Sequence, residues 1–335
     1  MNKCSKFKMI CTSAAMLVFG AAASSAQAQI VKVDGSSTVY PITEAVAEEF
    51  QKAKKGVFKV TVGISGTGGG FRKFCRGETD VSNASRPISK KEMEDCKAAG
   101  ISYLEMPVAY DALTVVINPK NSFLKSATVA ELKKLWEPAA QGKVSRWSQV
   151  NPAWPDAPVK LFGAGADSGT FEYFTEAIVG KSKASRGDYT ASEDDNVLVQ
   201  GVSRDVNAIG YFGYAYYAEN RDKLKALPIV NEKLGKAVAP SGETVVNGTY
   251  QPLSRPIFIY VNVKSAQKPE VREFVQYFNK EADKLVKEVK YVPLPAKAYA
   301  YNLDTLSKMR VGTKFGGENK VGLTIEDLMK LEARL

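Results

Sequence analysis

The sequence predicts an α/β fold in two lobes. Short apolar strands alternate with amphipathic helices along the chain, a pattern that lays helices on a largely parallel sheet. The chain has 335 residues, 44% hydrophobic and 24% charged, enough for two cores. Fifteen prolines, 26 glycines and 10% aromatics fit a globular protein and not a disordered or fibrous one.

The elements follow in order. Residues 30–33 form a short apolar strand, and Gly35-Ser36-Ser37-Thr38 is the polar turn after it. Pro41 opens a helix whose Ile42, Ala45, Val46 and Phe50 share one face. Phe58, Val60, Val62 and Ile64 alternate with period two, which is a strand. Residues 66–70 read as a glycine-rich loop, followed by a helix with Phe71, Phe74 and Cys75 on one face. A strand is expected over residues 80–84. Ser89 with Glu92, and Thr128 with Glu131, are capping-box pairs that start two further helices. Residues 159–162, 209–212 and 257–261 are buried-strand runs. Asp167-Ser168-Gly169-Thr170 precedes a helix marked by Phe171, Phe174 and Ile178. Val271, Phe274, Val275, Phe278, Ala282 and Leu285 define a long amphipathic helix.

The N-terminus has the pattern of a signal peptide. Lys3, Lys6 and Lys8 precede an apolar stretch, and Ala26-Gln27-Ala28 is an A-x-A site with cleavage expected after Ala28. The apolar stretch is short for a membrane span, so the mature chain is expected not to span a membrane. Cleavage removes 28 residues and three lysines from a chain of charge +10, leaving 307 residues at +7. Cys4 and Cys11 leave with it. Cys75 and Cys96 remain, and in an exported protein the pair is expected to join. Closing a loop of about 20 residues stabilises by roughly 3 kcal/mol. The alternative of a redox pair lacks a C-x-x-C spacing.

Composition excludes much chemistry. With no histidine there is no Ser-His-Asp or Cys-His catalysis and no imidazole metal site. The positive charge is spread widely, which fits solubility as well as an anionic partner. No arginine-rich block interleaved with aromatics appears, so no nucleic-acid partner is expected. No metal or cofactor is expected either. Asp194-Asp195 reads as a solvated helix entry, and Tyr211, Tyr214, Tyr216 and Tyr217 as core and rim packing.

One arrangement recurs three times. A strand ends in a loop rich in Gly, Ser and Thr, and a helix starts there: at residues 35–38, 65–70 and 167–170. Each offers helix N-terminal N–H groups with hydroxyls beside them. Singly, such residues are ordinary N-caps. Converging, they would surround a small tetrahedral oxyanion. Arg86, after the strand at residues 80–84, is the candidate charged anchor, since guanidinium grips two oxygens at once. The competing reading is a surface ion pair. No stretch reads G-x-x-x-x-G-K-[ST] or G-x-S-x-G, so neither a nucleotide P-loop nor a nucleophile elbow is present.

At these loops the sequence resembles the PstS-type phosphate-binding proteins of ABC phosphate uptake systems. The resemblance rests on VDGSSTVYPITEAVAEEF, SGTGGGFRKFCRGETDVSNASRPI, FGAGADSGTFEYFTEAI and NAIGYFGYAYYAEN, in the family's order. It implies a type II periplasmic binding protein fold, with a ligand cleft between lobes and a hinge of crossing strands. Lobe one would take residues 29–114 plus 258–335, and lobe two residues 115–257. It implies phosphate contacts from Ser37, Thr38, Thr67, Gly68, Ser168, Gly169 and Thr170. Many relatives carry Asp at the position of Ser85, where it accepts a phosphate proton, and Arg where this chain has Ala164. Arg86 would replace that arginine, and Asp167 would replace the acceptor or cap its helix. The implied role is capture of inorganic phosphate in the periplasm, as a monomer, for membrane-embedded ABC permease subunits.

Other readings weighed are a receptor for sulfate, molybdate or a phosphonate, a secreted phosphatase using Ser168, and an adhesive role for a basic secreted protein. The first differs in ligand only. The second lacks a histidine to activate the serine.

Overall fold

The computed structural model describes residues 29–166, 168–192, 194–318 and 325–331. Residues 1–28, which carry the expected signal peptide, and Asp167 lie outside the described residues.

Eight strands form the continuous path of a ten-stranded sheet: β1 (Gln29–Gly35), β2 (Phe58–Ile64), β3 (Val81–Ala84), β4 (Tyr103–Ile117), β5 (Lys160–Ala164), β6 (Thr190–Ser192), β7 (Ala208–Gly213) and β8 (Ser254–Asn262), with Lys225–Ala226 and Val292–Pro293 pairing with β4 off that path. Their order is β2-β1-β3-β8-β4-β7-β5-β6. β2, β1 and β3 run parallel, and so do β7, β5 and β6. Between these trios lies the antiparallel pair β8 and β4.

β4 joins the two trios. All fifteen of its residues are buried. From Tyr103 to Ala112 it pairs with β8, and from Leu113 to Ile117 with β7. It carries Pro107, which has no N–H to donate. The β8 register skips one residue there, with Ile257 opposite Ala109 and Phe258 opposite Pro107, leaving Val108 as a bulge. Glu105, Pro107 and Asp111 interrupt the apolar run of this strand. The fold pairs those acids at long range. Glu105 accepts from the Tyr260 hydroxyl at 2.7 Å and the Lys314 N–H at 2.9 Å.

The helices follow the expected starts. α1 (Tyr40–Ala53) has proline in its first turn. Both capping boxes form, at α3 (Lys90–Ala98) and α4 (Val129–Trp136). One expectation is corrected. Residues 66–70 are not a loop but the first turns of α2 (Gly66–Cys75). The glycines serve close approach: a Cβ on Gly70 would sit 2.5 Å from the Cα of Gly35 and 2.9 Å from Ser82 Oγ. Bare backbone there lets α2 lie against the end of β1. A disulfide joins Cys75 of α2 to Cys96 of α3.

Each trio has an aromatic core. On one side Phe71 meets Tyr260 edge-on at 4.9 Å, and Phe50 stacks with Phe58. On the other, Phe174 and Tyr211 stack at 3.6 Å with Trp136 edge-on to Tyr211.

Asp111 of β4 faces Arg255 of β8, with carboxylate and guanidinium 3.5 Å apart. Burial pushes its pKa up to about 6, more than Arg255 opposes. The folded state therefore holds the Asp111 proton more readily than the unfolded chain does. That contribution to stability is full below the unfolded pKa and is lost as pH rises through about 6. Asp111→Asn should therefore gain on the wild type as pH rises from about 4 to 7, by at most about 3 kcal/mol. Thermal unfolding of both proteins across that range checks this; parallel curves would contradict it.

Candidate functional site

A cleft of about 690 Å3 opens at the carboxyl ends of β1, β2 and β3. Ser37, Ser65, Gly66, Thr67, Gly68, Gly69, Ser85 and Arg86 form one wall. The opposite wall carries Glu172, Glu176, Ser182 and Lys183.

The first wall is a set of neutral donors around one cation. The Ser37 hydroxyl is shielded from solvent and has no hydrogen-bond partner. A buried hydroxyl without a partner is costly unless something fills the place. The hydroxyls of Thr67 and Ser85 lie 3.0 Å apart, and the Ser85 N–H donates to Thr67 Oγ1 at 3.1 Å. This contact ties the start of α2 to the loop after β3.

Arg86 is in the cleft, and it is also ion-paired. Its guanidinium donates to both Glu92 oxygens, at 2.9 and 2.8 Å, and to the Pro87 carbonyl at 3.0 Å. Its Cζ lies over the Phe71 ring, 5.9 Å from the centroid. Glu92 is also the third residue of α3 and accepts from the Ser89 N–H and hydroxyl, at 2.9 and 2.8 Å. Burial alone would raise the Glu92 pKa. The hydrogen bonds from Arg86 and Ser89 nevertheless hold it below the ordinary carboxylate value. The capping box thus aims the guanidinium. Arg86 is ion-paired, and it also lines the cleft.

The third loop sits differently. α5 (Gly169–Phe174) starts against the first loop, so closely that a Cβ on Gly169 would lie 3.0 Å from both Thr38 Cα and Thr38 N. Thr38 is buried in this contact. Ser168 Oγ accepts from the Thr170 N–H at 3.1 Å, capping its own helix. Thr170 lines a separate cavity of about 110 Å3 with Asp111 and Tyr291. Of the expected site residues, then, Ser37, Thr67, Gly68, Ser85 and Arg86 line the main cleft. Thr38, Ser168, Gly169 and Thr170 gather beside it.

Sequence reasoning missed Glu92, Glu172, Glu176 and Lys183. Glu172 and Glu176 are four apart, hence on one helical face, and that spacing was available. Glu92 was visible only as a cap. Nothing local marks Lys183. Elsewhere, Asp194 caps α6 (Asp195–Arg204) by accepting from the Asn196 N–H, and Tyr211 is buried in the aromatic stack. No helix among the described residues is long and apolar enough to cross a membrane.

A mixed sheet bridged by two shared strands, with a polar cleft at its strand ends, is the architecture of periplasmic binding proteins. The sequence matches the PBP superfamily domain over residues 20–281. The chain belongs to that superfamily and, within it, to the PstS-type phosphate-binding family. It is 56% identical over 308 residues to protein SphX of Synechococcus elongatus, covering 92% of this chain and 90% of that one. It is 40% identical over 272 residues to the phosphate-binding protein PstS of Staphylococcus saprophyticus, covering 80% and 82%. A crystal structure of a possible phosphate binding protein from Planctomyces limnophilus aligns with TM-score 0.79 at 51% identity, covering 84% of this chain and 98% of that one.

The lowered Glu92 pKa gives a stability that is full above the ordinary carboxylate pKa and is lost as pH falls through the folded value. Glu92→Gln keeps the cap geometry and removes the charge. The deficit of this variant should be largest near neutral pH and shrink toward about pH 3. Melting curves across that range decide it, and a deficit that grows on acidification would overturn the assignment.

Proposed function

We propose that this chain binds inorganic phosphate in the main cleft and delivers it to membrane-embedded ABC permease subunits. The observation that carries the reading is the first wall. Ser37, the Thr67–Ser85 pair and a guanidinium already fixed by Glu92 line one space, and the buried Ser37 hydroxyl has no partner. Fixed donors bind an anion without the entropy cost of ordering them. The relatives named as phosphate-binding support the same ligand.

The role is binding rather than catalysis. The chain has no histidine to activate a serine, and Ser168 Oγ is engaged in capping. Sulfate is rejected when the site holds an acceptor for a proton that sulfate lacks. Glu172 and Glu176 are carboxylate acceptors lining the cleft, which favours phosphate although Ser85 replaces the relatives' Asp. We place the protein in the periplasm as a monomer, after cleavage behind Ala28.

The moving units are residues 29–114 with 258–335, and residues 115–257. The switch of β4 from β8 to β7 at Leu113 supports the first boundary, and the start of β8 at Ser254 lies near the second. Phosphate between the walls would then bias the closed arrangement.

Calorimetric titration of the phosphate-stripped protein, with and without excess sulfate, tests the ligand. Phosphate binding should survive sulfate, and Arg86→Ala should weaken it by at least about tenfold with the melting curve unchanged in shape. Displacement by sulfate would shift the reading to another tetrahedral oxyanion. An Arg86→Ala protein with wild-type affinity would remove Arg86 from the site.

A further inference from the structure

We propose that Lys183 is a second ligand-contacting cation, whose ammonium leaves Glu172 and closes on the bound anion from the wall opposite Arg86. The inference rests on the phosphate reading above. Three observations carry it.

The first is the charge of that wall. Among the described residues lining the cleft, the cations are Arg86 and Lys183, and the acids are Glu172 and Glu176. Glu176 acts electrostatically on Arg86 across the space. Without Lys183 the charges of the second wall would all be carboxylates, with Ser182 as its neutral donor, and an anion approaching Arg86 would be repelled from behind. Lys183 decides whether closing the walls helps or opposes binding.

The second is how its backbone is placed. Lys183 has φ 64°, a left-handed conformation that a lysine seldom adopts. Its N–H donates to Thr175 Oγ1 at 2.7 Å, and Thr175 is fully buried with its hydroxyl donating to the Phe171 carbonyl at 2.7 Å. The turn is therefore anchored to the body of the second wall, and the side chain moves with that wall.

The third is that its present partner is exchangeable. Lys183 Nζ lies 3.1 Å from Glu172 Oε1, with the lysine side chain 59% exposed. Solvent-exposed pairs of this kind hold weakly. A partly dehydrated phosphate oxygen makes a stronger, charge-assisted partner. Glu176 is tied separately to Arg255 at 3.2 Å and does not compete for the lysine in this arrangement.

The test uses inorganic phosphate with the wild type, Lys183→Asn, which tolerates the left-handed backbone, and Lys183→Arg. Affinity is read by calorimetry, and association and dissociation rates by stopped flow at low and high salt. Lys183→Asn should bind about tenfold more weakly, chiefly through faster dissociation, and Lys183→Arg should restore most of the loss. Wild-type affinity in Lys183→Asn, with Arg86→Ala impaired, would overturn this proposal and leave the phosphate reading standing. A loss confined to slower association that disappears at high salt would also overturn it, making Lys183 a steering charge. A wild type that does not bind phosphate would remove both.

Discussion

The buried strand Tyr103–Ile117 is the constraint on which this structure depends. A strand with fifteen buried residues must satisfy its N–H and C=O groups on both edges. It pairs with Ser254–Asn262 over Tyr103–Ala112 and with Ala208–Gly213 over Leu113–Ile117, while Val292–Pro293 and Lys225–Ala226 pair with shorter stretches of it. Those pairings place one parallel trio at each end. The strands that feed the two walls of the cleft thus share a single central pair. Asp111 and Arg255 face each other within that pair.

The cleft follows a consistent electrostatic plan. Among the described residues, each cation lining it has a carboxylate partner: Arg86 has Glu92, and Lys183 has Glu172. Full neutralisation before binding would make a weak anion site in water. In a closed cleft the balance changes, because hydroxyl and N–H dipoles that are already oriented act in a low dielectric. The Glu92 fork also holds the guanidinium near Phe71, where Arg86 lines the cleft. Selectivity and affinity in such a site come from fixed geometry more than from net charge.

Much of this was legible locally. Period-two alternation found Phe58–Ile64, helical spacing found Pro269–Glu288, and the capping boxes were right to the residue. Of the residues expected at one site, Ser37, Thr67, Gly68, Ser85 and Arg86 line the main cleft, while Thr38, Ser168, Gly169 and Thr170 gather beside it. What was not legible depends on distant partners. Glu105 and Asp111 look like surface residues until Tyr260 and Arg255 arrive from more than a hundred residues away. The glycines of α2 looked like a loop because their purpose, close approach to Gly35 and Ser82, exists only in three dimensions. Lys183 reaches the cleft through a turn whose conformation is set by buried Thr175, and no periodicity records that.

A crystal structure with phosphate bound tests the central claim most directly. The account predicts tetrahedral density in the main cleft, within hydrogen-bond distance of the Ser37 hydroxyl, the Thr67–Ser85 pair and the Arg86 guanidinium. Density elsewhere on the protein, with Ser37 still unpartnered and the cleft filled only by water, would contradict it.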